Sequence, residues 1–99
     1  MIECKVKVRS KRAYVSVSGH ARAAPKGEDI ICAAASILVL TLISALGEYG
    51  ARDFRYRLSD GNAEVKFKLD KATKHLYNSF ICGFNILHEM YPQYISISN

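Results

Sequence analysis

Residues 30–46 read IICAAASILVLTLISAL, a run without a single charge in a chain of only 99 residues. A segment of that kind must be buried, and the rest of the chain has to supply the layer that buries it. Asp29 precedes the run and Gly47 follows it. Asp is a favoured N-cap and Gly the favoured residue just past a helix end, so the spacing predicts a capped helix over about 17 residues. Its apolar residues go all the way round, which predicts burial on most sides. A membrane span is the rival reading, because the run sits at the lower length limit for crossing a bilayer. Cys32, Ser36, Thr41, Ser44 and many alanines keep it only modestly apolar, and the flanking chain reads as a soluble domain, so no membrane is expected.

The flanks alternate. Ile2, Cys4, Val6 and Val8 interleave with Glu3, Lys5, Lys7 and Arg9, the period of a half-buried strand. Ser10-Lys11-Arg12 reads as a turn, without the Asn-Gly signal of a tight hairpin, and Tyr14 to Ser18 as a second strand. Phe54, Tyr56 and Leu58, then Asp60-Gly61-Asn62, then Val65, Phe67 and Leu69 give the strongest hairpin signal in the chain. From Asp70 to about Met90, Leu76, Phe80, Phe84 and Leu87 fall on one stripe, with Asp70 as cap and Pro92 ending the helix. Tyr94, Ile95 and Ile97 suit a last short strand. The order strand-strand-helix-strand-strand-helix-strand predicts an α+β fold, a mostly antiparallel sheet with two helices packed on one face. The length suits one domain over residues 1–99, and a composition of 49% hydrophobic and 23% charged residues suits a globular one.

Three cysteines, Cys4, Cys32 and Cys82, are an odd number at wide spacings. They argue against a disulfide framework and for a reducing cytosol. No signal peptide opens the chain, so a cytoplasmic location is expected. Gly19 and Gly27 do not make a phosphate loop, because the Lys-Ser/Thr ending is missing. A net charge of +5 suggests attraction to RNA, to ribosomes or to anionic surfaces, although solvated lysines and arginines explain it equally.

The chemistry-bearing residues cluster in SGHARAAPKGEDIICAAAS. With Asp29 as cap, Cys32 is the third helical residue, near unpaired N–H groups and the positive end of the macrodipole. That favours the thiolate, while the charge of Asp29 opposes it. His20 leaves the second strand, and Pro25 and Gly27 mark residues 21–28 as a loop able to return His20 to the helix start. A histidine beside such a cysteine is a nucleophile–base pair with a pKa suited to neutral pH. Ser36, one turn after Cys32, either contacts that pair or bonds back to a helix carbonyl. A small buried cysteine and a surface histidine are the plain alternative. His20, Asp29 and Cys32 lack a fourth ligand and a zinc spacing, so no metal and no cofactor are expected. His75 and His88 read as partly exposed helix residues, and Cys4 and Cys82 as core cysteines.

At Gly19-His20-Ala21, Gly27-x-Asp29-Ile30-Ile31-Cys32-Ala33 and Ser36 the sequence resembles the ribosomal-processing cysteine proteases, called Prp, and the order of elements agrees over nearly the whole chain. The resemblance implies a bacterial protease that removes a short N-terminal extension from a large-subunit ribosomal protein. It implies a dyad of Cys32 and His20, a homodimer, and a loop between the two that is mobile without substrate, here including Ala21, Pro25 and Gly27. On that reading the N–H groups around Cys32 and Ala33 serve the oxyanion, and Asp29 caps the helix, orients His20, or both. An association with the ribosome is a further expectation. Two other readings stay open: a non-enzymatic ribosome- or RNA-binding module using the basic faces around Arg55, Arg57, Lys66 and Lys68, and a hydrolase such as a thioesterase.

Overall fold

The computed structural model describes the backbone of residues 1–19 and 25–99, and all side chains in those spans except those of residues 25–29. The elements are β1 (Ile2–Arg9), β2 (Arg12–Gly19), α1 (Pro25–Glu48), β3 (Arg55–Ser59), β4 (Asn62–Lys68), α2 (Lys71–Met90) and β5 (Ile95–Ser98). The five strands form one mixed sheet in the order β3-β4-β2-β1-β5, in which β5 runs parallel to β1 and all other pairs are antiparallel. The expected α+β architecture and element order are both present.

Strict alternation places Cys4, Val15 and Val65 on the helix side of the sheet, with Phe67 beside them, all at most 1% exposed. Ile31, Ala35, Val39, Leu42 and Leu46 of α1 and Phe80, Phe84 and Leu87 of α2 pack against them in one core. The helices meet where Gly83 of α2 lies beneath Leu38 of α1; a Cβ at Gly83 would run into the Leu38 methyl groups. Asp70 caps α2 as expected, accepting from the N–H groups of Ala72 and Thr73, while the Thr73 hydroxyl accepts from the Asp70 N–H. The Thr73 N–H, foremost among these contacts, holds the Asp70 carboxyl below the usual aspartate range.

Three expectations need correction. Helix α1 begins at Pro25, not after Asp29, so Asp29 is its fifth residue rather than its cap, and Pro25 and Gly27 lie in the helix rather than in a loop. Proline is tolerated at a first helical position because its missing N–H would be unpaired there anyway, and acidic residues in a first turn suit the macrodipole. His20 and Ala21 lie outside the described residues. The uncharged run is also less covered than expected: Ile30 and Ile37 are each 61% exposed, and Leu40 is exposed as well. By length and composition the segment Ile30–Glu48 could cross a membrane, with mean hydropathy 2.5, yet its inner stripe is seated on the sheet. Third, Cys82 is exposed rather than in the core, although Cys4 is buried as expected.

The first hairpin closes through Ser10 and Lys11, with φ of 51° and 62°. Both central residues are left-handed, as in a type I′ turn, which prefers Asn-Gly. A non-glycine residue is strained there. Replacing Ser10-Lys11 by Asn-Gly is therefore expected to stabilise the protein by roughly 1 kcal/mol, seen as a melting temperature about 4–8 °C higher in a circular-dichroism melt.

Candidate active site

Between α1 and the β3–β4 turn lies a groove of about 340 Å3. Cys32 and Ser36 line it from α1, one helical turn apart, and Gly19 and Val17 from the end of β2. Leu40 and Leu58 give it apolar walls, and Asp60, Gly61 and Asn62 form its polar rim. Cys32 is partly buried and packs against the core, whereas Ser36 is exposed. The structure thus brings together three of the residues singled out in the sequence: Gly19, Cys32 and Ser36.

Gly19 is needed where it stands. Its φ is +97°, and a Cβ there would strike the Met1 carbonyl oxygen. Its N–H donates to the Gly61 carbonyl at 2.9 Å, which ties the end of β2 to the turn that rims the groove. His20 follows Gly19 directly in sequence.

The longer α1 changes the electrostatics expected at Cys32. Cys32 is the eighth residue of the helix, and Ala33 the ninth. Only the first four helical N–H groups lack an intrahelical partner, and the macrodipole acts within the first turn. The backbone N–H groups of Cys32 and Ala33 are therefore committed to the helix, and neither an oxyanion hole nor thiolate stabilisation is drawn from them. No group of three metal-ligating side chains occurs among the described residues. His75 is exposed on α2, and the His88 Nδ1 lies 2.9 Å from the Ile95 carbonyl, tying α2 to β5 away from the groove.

Leu40, Leu58 and the Asp60-Gly61-Asn62 rim were not singled out from sequence as site residues. Leu58 carried one signal: β3 alternates like a half-buried strand, yet all five of its residues are exposed. A contiguous apolar patch, here Leu58 with Leu40 across the groove, marks an interaction surface.

The three thiols differ in surroundings. Burial pushes the Cys4 thiol up to about 12, whereas Cys82 is exposed on α2. An unfolded thiol ionises near 8.5. The folded state thus retains a proton that the unfolded state releases, so this contribution to stability is full below about pH 8.5 and is lost as pH rises toward 12. At pH 8, iodoacetamide is expected to alkylate Cys82 and Cys32 in the native protein and to react with Cys4 roughly a thousandfold more slowly, as read by peptide mass spectrometry. Cys4→Val should flatten the alkaline loss of stability.

A sequence profile of the family described as Cysteine protease Prp matches residues 1–96. No curated protein sequence matches the chain significantly. Among solved structures, the fold is similar to that of the essential ribosomal processing protease Prp from S. aureus in complex with a covalently linked product peptide. That similarity has a TM-score of 0.86 and 19% identity over 99% of this chain and 98% of that one. The S. aureus protease in complex with a substrate peptide matches with a TM-score of 0.78 and 17% identity over the full length of both chains. SMU.848 from Streptococcus mutans matches with a TM-score of 0.76 and 27% identity over 99% of this chain and 92% of that one. With its profile matched from residue 1 to residue 96 and the same fold throughout, the chain belongs to the cysteine protease Prp family.

Proposed function

We propose that this protein is a cysteine endopeptidase, one catalytic domain over residues 1–99, that removes the N-terminal extension of a bacterial large-subunit ribosomal protein. Cys32 is the nucleophile and His20 the general base and acid. The observation that carries the assignment is the placement of Cys32 in an apolar-walled groove, the one of the three cysteines that lines it. Family membership supports the reaction class, and the relative from S. aureus, a ribosomal processing protease that takes a substrate peptide, supports the substrate.

Chemically, the Cys32 sulfur attacks the scissile carbonyl carbon as a thiolate, and His20 takes the thiol proton and delivers it to the leaving amine. Water then hydrolyses the acyl-enzyme with His20 as base. Asp29, three residues before Cys32 on α1, orients His20, and the Ser36 hydroxyl holds polar atoms of the bound peptide at the groove. Leu40 and Leu58 receive apolar side chains of an extended substrate beside the β3–β4 turn. The enzyme needs no cofactor, acts in the cytoplasm, and associates with the ribosome.

It works as a homodimer. Ile30 and Ile37, exposed on α1 and outside the groove lining, form an apolar surface that supports α1 as the contact.

The precursor in its extended form is the test substrate. Wild-type protein is expected to cleave it at one bond, read by mass spectrometry. Cys32→Ala and Cys32→Ser should lower kcat/KM by roughly 10³-fold or more, and His20→Ala by about 10²–10⁴-fold, with unchanged melting temperatures. Cleavage that persists in folded Cys32→Ala, or an intact precursor with wild-type enzyme, would overturn the assignment. In sedimentation, wild type is expected at twice the chain mass and Ile37→Lys at the monomer mass, since a charge in an apolar interface cannot be paired.

A further inference from the structure

The face of the sheet turned away from the helices carries a charge gradient. The strand register sorts its outward residues into rows. Beside the groove end, Glu3, Ser18 and Asn62 lie abreast. The next row is Lys5, Ser16, Glu64 and Arg57, then Lys7, Tyr14, Lys66 and Arg55, and last Arg9, Arg12 and Lys68. The rows thus pass from one negative charge, through a mixed row, to three positive charges in each of the last two.

Like charges directly opposite each other destabilise a sheet. Here Arg9 faces Arg12, Arg12 faces Lys68, and Lys66 faces Arg55. Among the described residues, two anions reach the array. Asp53 pairs with Arg12 at 3.0 Å between exposed side chains, and Glu64 accepts from the Tyr14 hydroxyl at 2.9 Å. An open hollow of about 1260 Å3 wraps this end of the sheet, with Lys7, Arg9, Arg12, Arg55 and Lys66 of the outward rows on its walls together with Val6, Ala13, Phe67 and Tyr77 of the helix side. An arrangement that costs stability and, among the described residues, leaves more cations than anions at this end is one that a polyanion completes.

We propose that this end of the open sheet face docks RNA through its backbone phosphates. The choice of RNA rests on the proposed role in processing a ribosomal protein, since a precursor engaged with an assembling ribosome lies among RNA strands. Charge complementarity is the recognition: closely spaced phosphates meet rows of cations on adjacent strands about 4.8 Å apart. The outward rows present no aliphatic side chain for insertion among acyl chains, so a membrane would hold this face by charge alone. Tyr14 is already engaged, with the Lys66 ammonium 5.6 Å from its ring centroid, so contact is to phosphates rather than by base stacking. The last row lies about 20 Å along the strands from the groove end and on the opposite face, so RNA and substrate peptide bind together.

The test is fluorescence anisotropy with a short labelled RNA duplex across a potassium chloride titration. Wild type is expected to bind at low salt and weaken steeply as salt rises. Lys7→Glu/Lys66→Glu should lose roughly tenfold or more in affinity and about two units of the log–log salt slope. Lys71→Glu/Lys74→Glu on α2 has the same net charge and should bind within about twofold of wild type. Arg9→Gln/Arg55→Gln, a milder change on the same face, should weaken binding if the first pair does not fold. Absence of binding by wild type at low salt overturns the proposal. So does equal loss in the α2 control, which means bulk charge alone. Sedimentation with phosphatidylserine vesicles without RNA binding also overturns it, giving the face to membranes instead. Precursor cleavage by the same wild-type preparation is read alongside. Failure to bind RNA with cleavage intact removes this proposal and leaves the protease reading standing.

Discussion

The seating of α1 on the sheet sets the geometry of everything else in the molecule. Five side chains make that contact, Ile31, Ala35, Val39, Leu42 and Leu46, all nearly inaccessible to water. Their spacing of four, four, three and four keeps them on one stripe. Ala35, the small member, lies among the groove residues one turn from Ile31, with Cys32 between them in sequence. Burying Ile31 and Ala35 against the sheet is what turns Cys32 and Ser36 toward the groove. The Cys32 thiol is held by core packing on a rigid element rather than by a loop.

Two helices, each roughly 10 Å across, cover about four strands spaced 4.8 Å apart. The sheet has five. Edge strand β3 is therefore left without a helix over it, and all five of its residues are exposed. The step between α1 and β3 is the groove, so the site is a consequence of a mismatch in width between the two layers. The Gly83–Leu38 contact adds to this: with no Cβ at Gly83, the two helices pack closely, which keeps the helix layer narrow.

The parts of the fold that were legible in the sequence are those where local and long-range preferences agree. The β3–β4 hairpin has alternation on both sides of Asp60-Gly61, and Gly61 takes a φ of 71°. Helix α2 has a cap, a stripe and a terminating Pro92. The turn at Ser10-Lys11 was found only by the strands flanking it, because its residues take left-handed angles that their side chains disfavour. The start of α1 was misplaced because Pro25 and Gly27 punctuate loops more often than they begin helices, and tertiary seating of the stripe further along outweighs that local cost. In the site, residue types alone left Cys32 ambiguous between nucleophile and core filler, and a family resemblance pointed to it. Leu58 and the rim residues reach the groove through strand pairing, which no local pattern encodes.

The sheet also explains how one small domain can keep an apolar site and a cationic surface apart. Alternation sends Val15 and Tyr14, neighbours in sequence, to opposite faces. The helix face is dry, and its deepest thiol, Cys4, is held neutral by burial. The open face stays in water, where its lysines and arginines interact at high dielectric and their mutual repulsion remains small enough for the core to bear. Partial burial and the nearby Glu64 both push the Tyr14 hydroxyl up, keeping it a donor, and the hydrogen bond fixes Glu64 between the row of Glu3 and the cationic rows. That carboxylate marks where the charge changes along the strands. Toward Gly19 the cationic rows give way to Glu3, Ser18 and Asn62. Toward Ser10 it becomes cationic without exposing the groove to the same field.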